Sequence, residues 1–98
     1  MIYFLYGDQD KARGKMHELV ESMQKKQPDA TLIKVNSETW RSDILDELLG
    51  TQGLFYNKLI IEMDQLLKNK EVKEAVLENL KEIQASQNIF IFLEETID

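Results

Sequence analysis

Four short apolar runs are spread along this chain, and amphipathic stretches separate them. Each run is rich in β-branched or aromatic side chains and is bounded by polar or glycine-containing turns, which is the pattern of a β-strand. The first run, Ile-Tyr-Phe-Leu-Tyr, has no polar alternation, so we expect it to be buried on both faces of a parallel sheet. The pattern predicts strands at residues 1–6, 31–35, 58–63 and 88–93.

The stretches between the runs have helical periodicity. From 10 to 26, apolar side chains recur along one helix face, as Ala12, Met16, Leu19, Val20 and Met23. Ser42 and Asp43 suit the start of a second helix, whose inward residues are Ile44, Leu45, Leu48 and Leu49 and which Gly50 ends. A long third helix is expected from 70 to 84, burying Val72, Ala75, Val76, Leu80 and Ile83.

Strands and helices that alternate in this way predict an α/β fold, a three-layer sandwich with a central parallel sheet. The 98 residues are enough for one domain spanning 1–98 and for one core. Trp40 lies in an irregular stretch before the second helix, and we expect it to close the edge of that core. Glu94 and Glu95 follow the last strand and are expected to face solvent.

The connection before the third strand is unusual because it is apolar. Leu54, Phe55 and Tyr56 stand between Gly53 and that strand, whereas connecting segments are usually polar and exposed. Two explanations stay open. The side chains fold back over the end of the core, or they enter a pocket on a partner protein.

Composition narrows the function classes. The chain has 43% hydrophobic residues, no cysteine and a formal net charge of −6, and no apolar run is long enough to span a bilayer. A disulfide framework and a thiolate zinc site are therefore excluded, and a cytoplasmic location is expected. Because nucleic-acid affinity depends on cationic side chains, we expect no strong DNA binding by this domain. Because no apolar run is long enough to span a bilayer, we expect no membrane partner.

The turn after the first strand is where a phosphate-binding loop would lie. That loop requires a glycine, four residues, and then Gly-Lys-Ser/Thr, so that backbone N–H groups surround the phosphate. Here Gly7 is followed by Gly14-Lys15, two residues too late, and Met16 replaces the hydroxyl residue. Asp8 and Asp10 also place negative charge where the phosphate would bind, so we expect a capped helix and no nucleotide cofactor.

Glu62 and Asp64 are the other candidate for chemistry. Two carboxylates one residue apart at the end of a strand could hold a metal ion, and they define an alternative hypothesis, a small nucleotide-binding domain with an atypical loop. Without a phosphate loop, a solvated strand end is the preferred interpretation. His17 is the single histidine, is expected at the edge of the buried helix stripe, and has no partner motif. The sequence therefore predicts no catalytic constellation, no metal site and no enzyme activity for this domain.

The order of these segments resembles the N-terminal domain of the delta subunit of bacterial DNA polymerase III, a clamp-loader subunit. The matching segments are Ile2-Tyr3-Phe4-Leu5-Tyr6-Gly7-Asp8, Pro28-Asp29-Ala30, Gly53-Leu54-Phe55 followed by Lys58-Leu59-Ile60-Ile61-Glu62, Leu66-Leu67-Lys68-Asn69-Lys70-Glu71-Val72, and Phe90-Ile91-Phe92-Leu93-Glu94-Glu95. The resemblance implies an AAA+ fold that has lost its nucleotide site. It also implies that Leu54 and Phe55 bind an apolar pocket on the sliding clamp (the beta subunit) and help to open it during DNA replication. Tyr56 stands next to the third strand, and we expect it to cover the core.

The chain departs from that family at two points. The family often has glutamine four residues before the leucine, where this chain has Gly50. The family also continues into a lid and a collar domain that join the other loader subunits, and neither lies within these 98 residues. We therefore expect the first domain of a longer protein. An α/β interaction domain unrelated to replication stays open as a further alternative.

Overall fold

The computed structural model describes residues 1–50 and 58–95. The elements are β1 (Ile2–Tyr6), α1 (Gln9–Lys26), β2 (Thr31–Val35), α2 (Ile44–Gly50), β3 (Leu59–Asp64), α3 (Lys70–Glu78), α4 (Leu80–Ala85) and β4 (Ile89–Glu94). All four predicted strands are present, within one residue of their expected bounds.

The four strands form one sheet in the order β1-β4-β3-β2, and every neighbouring pair is parallel. In the centre of the sheet, Ile61 of β3 lies opposite Phe90 of β4, and both are fully buried. Burial of one such side chain contributes about 1.5–3 kcal/mol, which explains why the central strands are almost entirely apolar. The predicted parallel α/β architecture is confirmed at this level.

Helices cover both faces of the sheet, an arrangement compatible with three layers. On one face, α1 contributes the buried Ala12, Met16, Val20 and Met23, which form a cluster with Ile60, Ile89, Ile91 and Leu93. On the other face, the second cluster takes buried residues from α2, α3 and α4, which pack with Val35, Ile61, Met63, Phe90 and Phe92. Trp40 is partly buried against this second cluster, as predicted.

The expected long third helix is two short helices, because the backbone leaves the helical conformation at Asn79, which has a φ of −105° and a ψ of 13°. Its side-chain amide donates to the carbonyl of Ala75 at 2.8 Å, and its backbone N–H is shared between the carbonyls of Ala75 and Val76 at 3.2 Å each. Asparagine side chains compete in this way with regular helix hydrogen bonds. Of the five residues expected to be buried, Val72, Val76 and Ile83 are buried, whereas Ala75 and Leu80 are half-buried.

The prediction that β1 is buried on both faces was wrong. β1 is one of the two edge strands and pairs with β4 alone within the described residues. Phe4 is 44% exposed and Tyr6 65% exposed, although the Phe4 ring stacks on Phe92 with the ring centroids 5.4 Å apart. An apolar run marks a strand, but only the strand order shows which strand lies at the edge.

Within the described ranges, no helix combines the length and the apolar character that crossing a membrane requires.

Candidate functional site

The segment that carries the predicted partner-binding pair lies between α2 and β3. Leu54 and Phe55, and Tyr56 beside them, lie outside the described residues, so their predicted roles stay predictions. The structure describes the two ends of this segment, at Gly50 and at Lys58.

Both ends of the 51–57 segment are attached to the core. In α2, Leu45 and Leu48 are 2% and 5% exposed, and the helix ends at the exposed Gly50. On the other side, β3 begins at Leu59, and the next residue, Ile60, is fully buried. Because β3 begins here, Leu59 lies at the amino end of the parallel sheet.

Asn88 connects the two ends of this segment. Its side-chain Nδ2 donates to the carbonyl oxygen of Leu48 at 3.0 Å, and its Oδ1 accepts from the backbone N–H of Leu59 at 3.0 Å. Asn88 is fully buried. Sequence reasoning assigned it only to the start of a strand; the available signal was an amide residue directly before an apolar run.

The carboxyl edge of the sheet, where α/β proteins bind nucleotides, has the start of α1 capped by the chain itself. Asp8 Oδ1 accepts from the backbone N–H groups of Asp10 at 3.0 Å and Lys11 at 3.2 Å. These are donors that a bound phosphate would use at a helix N-terminus. Gly7 has a φ of +116°, and its N–H donates to the carbonyl of Glu94 at 3.2 Å. The capped start of α1 is therefore confirmed.

Asp64 and Glu62 do not form a solvated pair of carboxylates. The Asp64 carboxylate accepts from Arg13 of α1 at 3.2 and 3.3 Å, so a cation from the chain itself already neutralises it. Glu62 is only 5% exposed, which contradicts its assignment to a solvated strand end. The physical reason is that β3 is an inner strand, with β2 on one side and β4 on the other.

Glu94 is the second acidic residue that the sequence placed wrongly in solvent. It is 2% exposed, and its Oε1 accepts from the N–H of Leu67 at 2.8 Å, while the buried Oε2 has no hydrogen-bond partner among the described residues. Burial raises the pKa of Glu94, and the backbone hydrogen bonds of Leu67 and Leu66 oppose that shift only in part. The loop between β3 and α3 folds over the end of β4, which explains the burial.

Nothing in the described part of the chain forms a metal site. Across residues 1–50 and 58–95, no group of three histidine, cysteine or acidic residues could hold an ion. His17 is exposed on α1, rather than lying at the edge of the buried stripe. The geometry of the described residues thus combines a self-capped, ion-paired carboxyl edge with an Asn88 amide that joins Leu48 to Leu59 at the opposite edge.

A scan of protein-family models, a search of curated proteins and a search of solved structures each found no match to this chain.

Proposed function

We propose that this chain is a non-catalytic protein-binding domain of the clamp-loader delta type, AAA+-like, which engages the bacterial sliding clamp through Leu54 and Phe55. The observation that carries the proposal is the location of this Leu-Phe pair, in the connection from α2 to the inner strand β3. A connection with both ends attached to a buried core can present apolar side chains to a partner at a small entropic cost.

The point at which the chain enters β3 is remote from the carboxyl edge. The connection enters the sheet at Leu59, whereas Asp64 lies at the other end of the same strand. At about 3.3 Å per residue, the two edges are about 17 Å apart along β3. The proposal therefore keeps partner binding, near the start of β3, apart from the carboxyl edge.

The carboxyl edge supports a domain that binds no ATP. Asp8 holds the first N–H groups of α1, and Arg13 holds Asp64. A triphosphate with magnesium would have to displace both interactions and would meet the charge of Asp8. We expect calorimetric titration with ATP and magnesium to give no binding heat, and binding at millimolar affinity or tighter would contradict this part of the proposal.

The proposed partners follow from the same reasoning. The sliding clamp binds this domain, and the other loader subunits join through the lid and collar domains of a longer protein. Strong DNA binding by this domain is not proposed, because the net charge is −6.

Truncation of the Leu-Phe pair tests the proposal. Leu54→Ala and Phe55→Ala should each weaken binding to the purified clamp of the source bacterium by roughly thirtyfold or more, since central apolar anchors contribute about 2 kcal/mol or more each. Leu77→Ala is the matched control, because Leu77 is a 59% exposed leucine on α3, and it should leave the affinity unchanged.

Three outcomes separate the explanations. Loss of binding by folded Leu54 and Phe55 variants supports the proposal. Unchanged binding refutes it. A variant that unfolds indicates instead that the pair covers the core.

A further inference from the structure

We propose that the outer edge of β1 binds a second copy of this chain, β1 against β1 in antiparallel orientation, and so forms a two-fold dimer. The proposal uses described residues only and is independent of clamp binding. Three of the four large apolar side chains that are exposed in the described ranges belong to β1 or precede it directly: Met1 at 50%, Phe4 at 44% and Tyr6 at 65%. Exposed apolar surface concentrated at one place is typical of an interface.

β1 also has backbone groups that are available to another strand. In a parallel pair every second residue bonds the neighbouring strand, and the N–H of Gly7 donates to the carbonyl of Glu94 at 3.2 Å, so the odd-numbered residues of β1 face β4. The N–H and C=O groups of the even-numbered residues therefore point away from β4, to an edge on which no described strand lies. These residues are Ile2, Phe4 and Tyr6.

The lack of charge on β1 favours a second copy as the occupant of this edge. Exposed edge strands usually carry charged residues that prevent edge-to-edge pairing. The other edge strand, β2, follows this rule with the exposed Lys34, whereas β1 has no charged residue. Because the chain has a net charge of −6, two copies repel each other over much of their surface. An uncharged edge is where they can approach closely.

β1 is complementary to itself in one antiparallel register. When the pair is centred on Phe4, this residue lies opposite Phe4 of the partner subunit, and Ile2 lies opposite Tyr6 of the partner subunit. All three edge-facing residues then form hydrogen-bonded pairs, with about six hydrogen bonds in total. The opposed side chains lie on the same sheet face and are aromatic or β-branched, which are the cross-strand pairs that stabilise sheets.

The helices are compatible with this pairing. On one sheet face, α1 packs on both β1 and β4. With neighbouring strands about 4.8 Å apart, the α1 helices of two copies lie about 10 Å apart, which is a normal distance for packed helices. Because β1 contributes only 5 residues per copy, the interface is at the small end of the range. We therefore expect a reversible dimer with a Kd between about 1 µM and 1 mM.

Sedimentation equilibrium from about 1 µM to about 1 mM tests the proposal with Tyr6→Lys and a matched control. Tyr6→Lys places a charge on the open edge at a 65% exposed position. Leu77→Lys makes the same change of net charge at a 59% exposed position on α3. We expect the wild type to dimerise, Tyr6→Lys to raise the dimer Kd by about tenfold or more, and Leu77→Lys to behave as the wild type does. Urea unfolding verifies that each variant is folded.

Three results of this experiment would overturn the proposal. The first is a wild-type chain that stays monomeric up to about 1 mM, even if an unlike protein binds the β1 edge. The second is a dimer that Tyr6→Lys leaves unchanged or that Leu77→Lys weakens equally. The third concerns salt: because screening reduces the repulsion between two acidic copies, sodium chloride should strengthen the dimer, and a dimer that salt dissociates would depend on ion pairs elsewhere.

A single introduced cysteine tests the register, because the chain has no cysteine of its own. Under mild oxidation above the dimer Kd, Phe4→Cys should form a disulfide between subunits, since Cα atoms of a hydrogen-bonded pair are about 5.5 Å apart and within disulfide reach. Tyr6→Cys should not, because its two copies would be about 14 Å apart along the strands. Failure of Phe4→Cys to cross-link, or preferential cross-linking of Tyr6→Cys, would overturn the proposed pairing.

Discussion

Asp8 is the residue whose replacement tests most directly how the start of α1 is capped. Its Oδ1 accepts from the N–H groups of Asp10 and Lys11, at 3.0 and 3.2 Å, at an exposed helix start. Loss of an N-cap to alanine costs about 0.5–2 kcal/mol, and the exposed position favours the middle of that range. We therefore expect Asp8→Ala to lower the free energy of unfolding by about 1 kcal/mol, which lowers Tm by about 4–8 °C in a domain of this size.

Urea unfolding followed by circular dichroism measures this change, with Asp8→Asn as the matched control. Asparagine keeps the acceptor and removes the charge, so it should lose only the interaction of the carboxylate with the helix dipole, about 0.3–1 kcal/mol. An Asp8→Ala protein within about 0.3 kcal/mol of wild type would refute the reasoning, because the N–H groups would then have no need of Asp8.

Three further predictions concern the edges and the core. Burial raises the folded-state pKa of Glu94 above its unfolded value, so its contribution to stability is present below pH 4.5 and is lost as the pH rises through the folded pKa. Glu94→Gln should therefore flatten the fall of the unfolding free energy with rising pH. Glu78→Gln, at an exposed position on α3, should leave that fall unchanged. Asp64→Asn removes an ion pair with Arg13 in which the Asp64 and Arg13 side chains are 28% and 39% exposed. Chemical denaturation should therefore show a loss of unfolding free energy of no more than about 1 kcal/mol. If magnesium raised the Tm of the wild-type protein, Asp64 would be free to bind a cation, which would contradict the pairing with Arg13. Ile83→Ala, at a fully buried position, should cost about 2–5 kcal/mol in urea unfolding, and a cost below about 1 kcal/mol would contradict its place in the core.

The alternation of strands and helices could be predicted because it depends on local periodicity. The apolar runs located all four strands, and the stripe containing Met16 and Val20 located α1 together with its buried face. A single competing hydrogen bond limited the accuracy: Asn79 divides one predicted helix into α3 and α4. Whether the Asn79 side chain bonds the Ala75 carbonyl depends on its rotamer, and the spacing of apolar residues contains no information about that rotamer.

For three residues the predicted burial was wrong, because their burial depends on which elements become neighbours in the fold. Glu94 was expected in solvent, but the loop containing Leu67 covers it, and Glu62 was expected at a solvated end, but β3 is an inner strand. The exposed Phe4 shows the reverse error at the sheet edge. Long-range order decides all three, and the spacing of residues along one strand does not encode it.

The candidate site also has one part that local sequence predicts and one part that depends on the fold. The failed phosphate loop could be predicted from spacing, and the cap at Asp8 confirms the expected helix start. Asn88 could not be assigned, because its partners Leu48 and Leu59 are brought together only by the fold.

Hydrogen–deuterium exchange of the domain, alone and with the purified sliding clamp of its source organism, tests the central claim of the proposal most directly. Clamp binding should slow exchange at residues 51–57, including Leu54 and Phe55, and should leave the carboxyl edge around Asp8 and Asp64 unchanged. ATP with magnesium should change neither region. Protection confined to another surface, such as the exposed β1 edge at Phe4 and Tyr6, or no protection at all, would contradict the account.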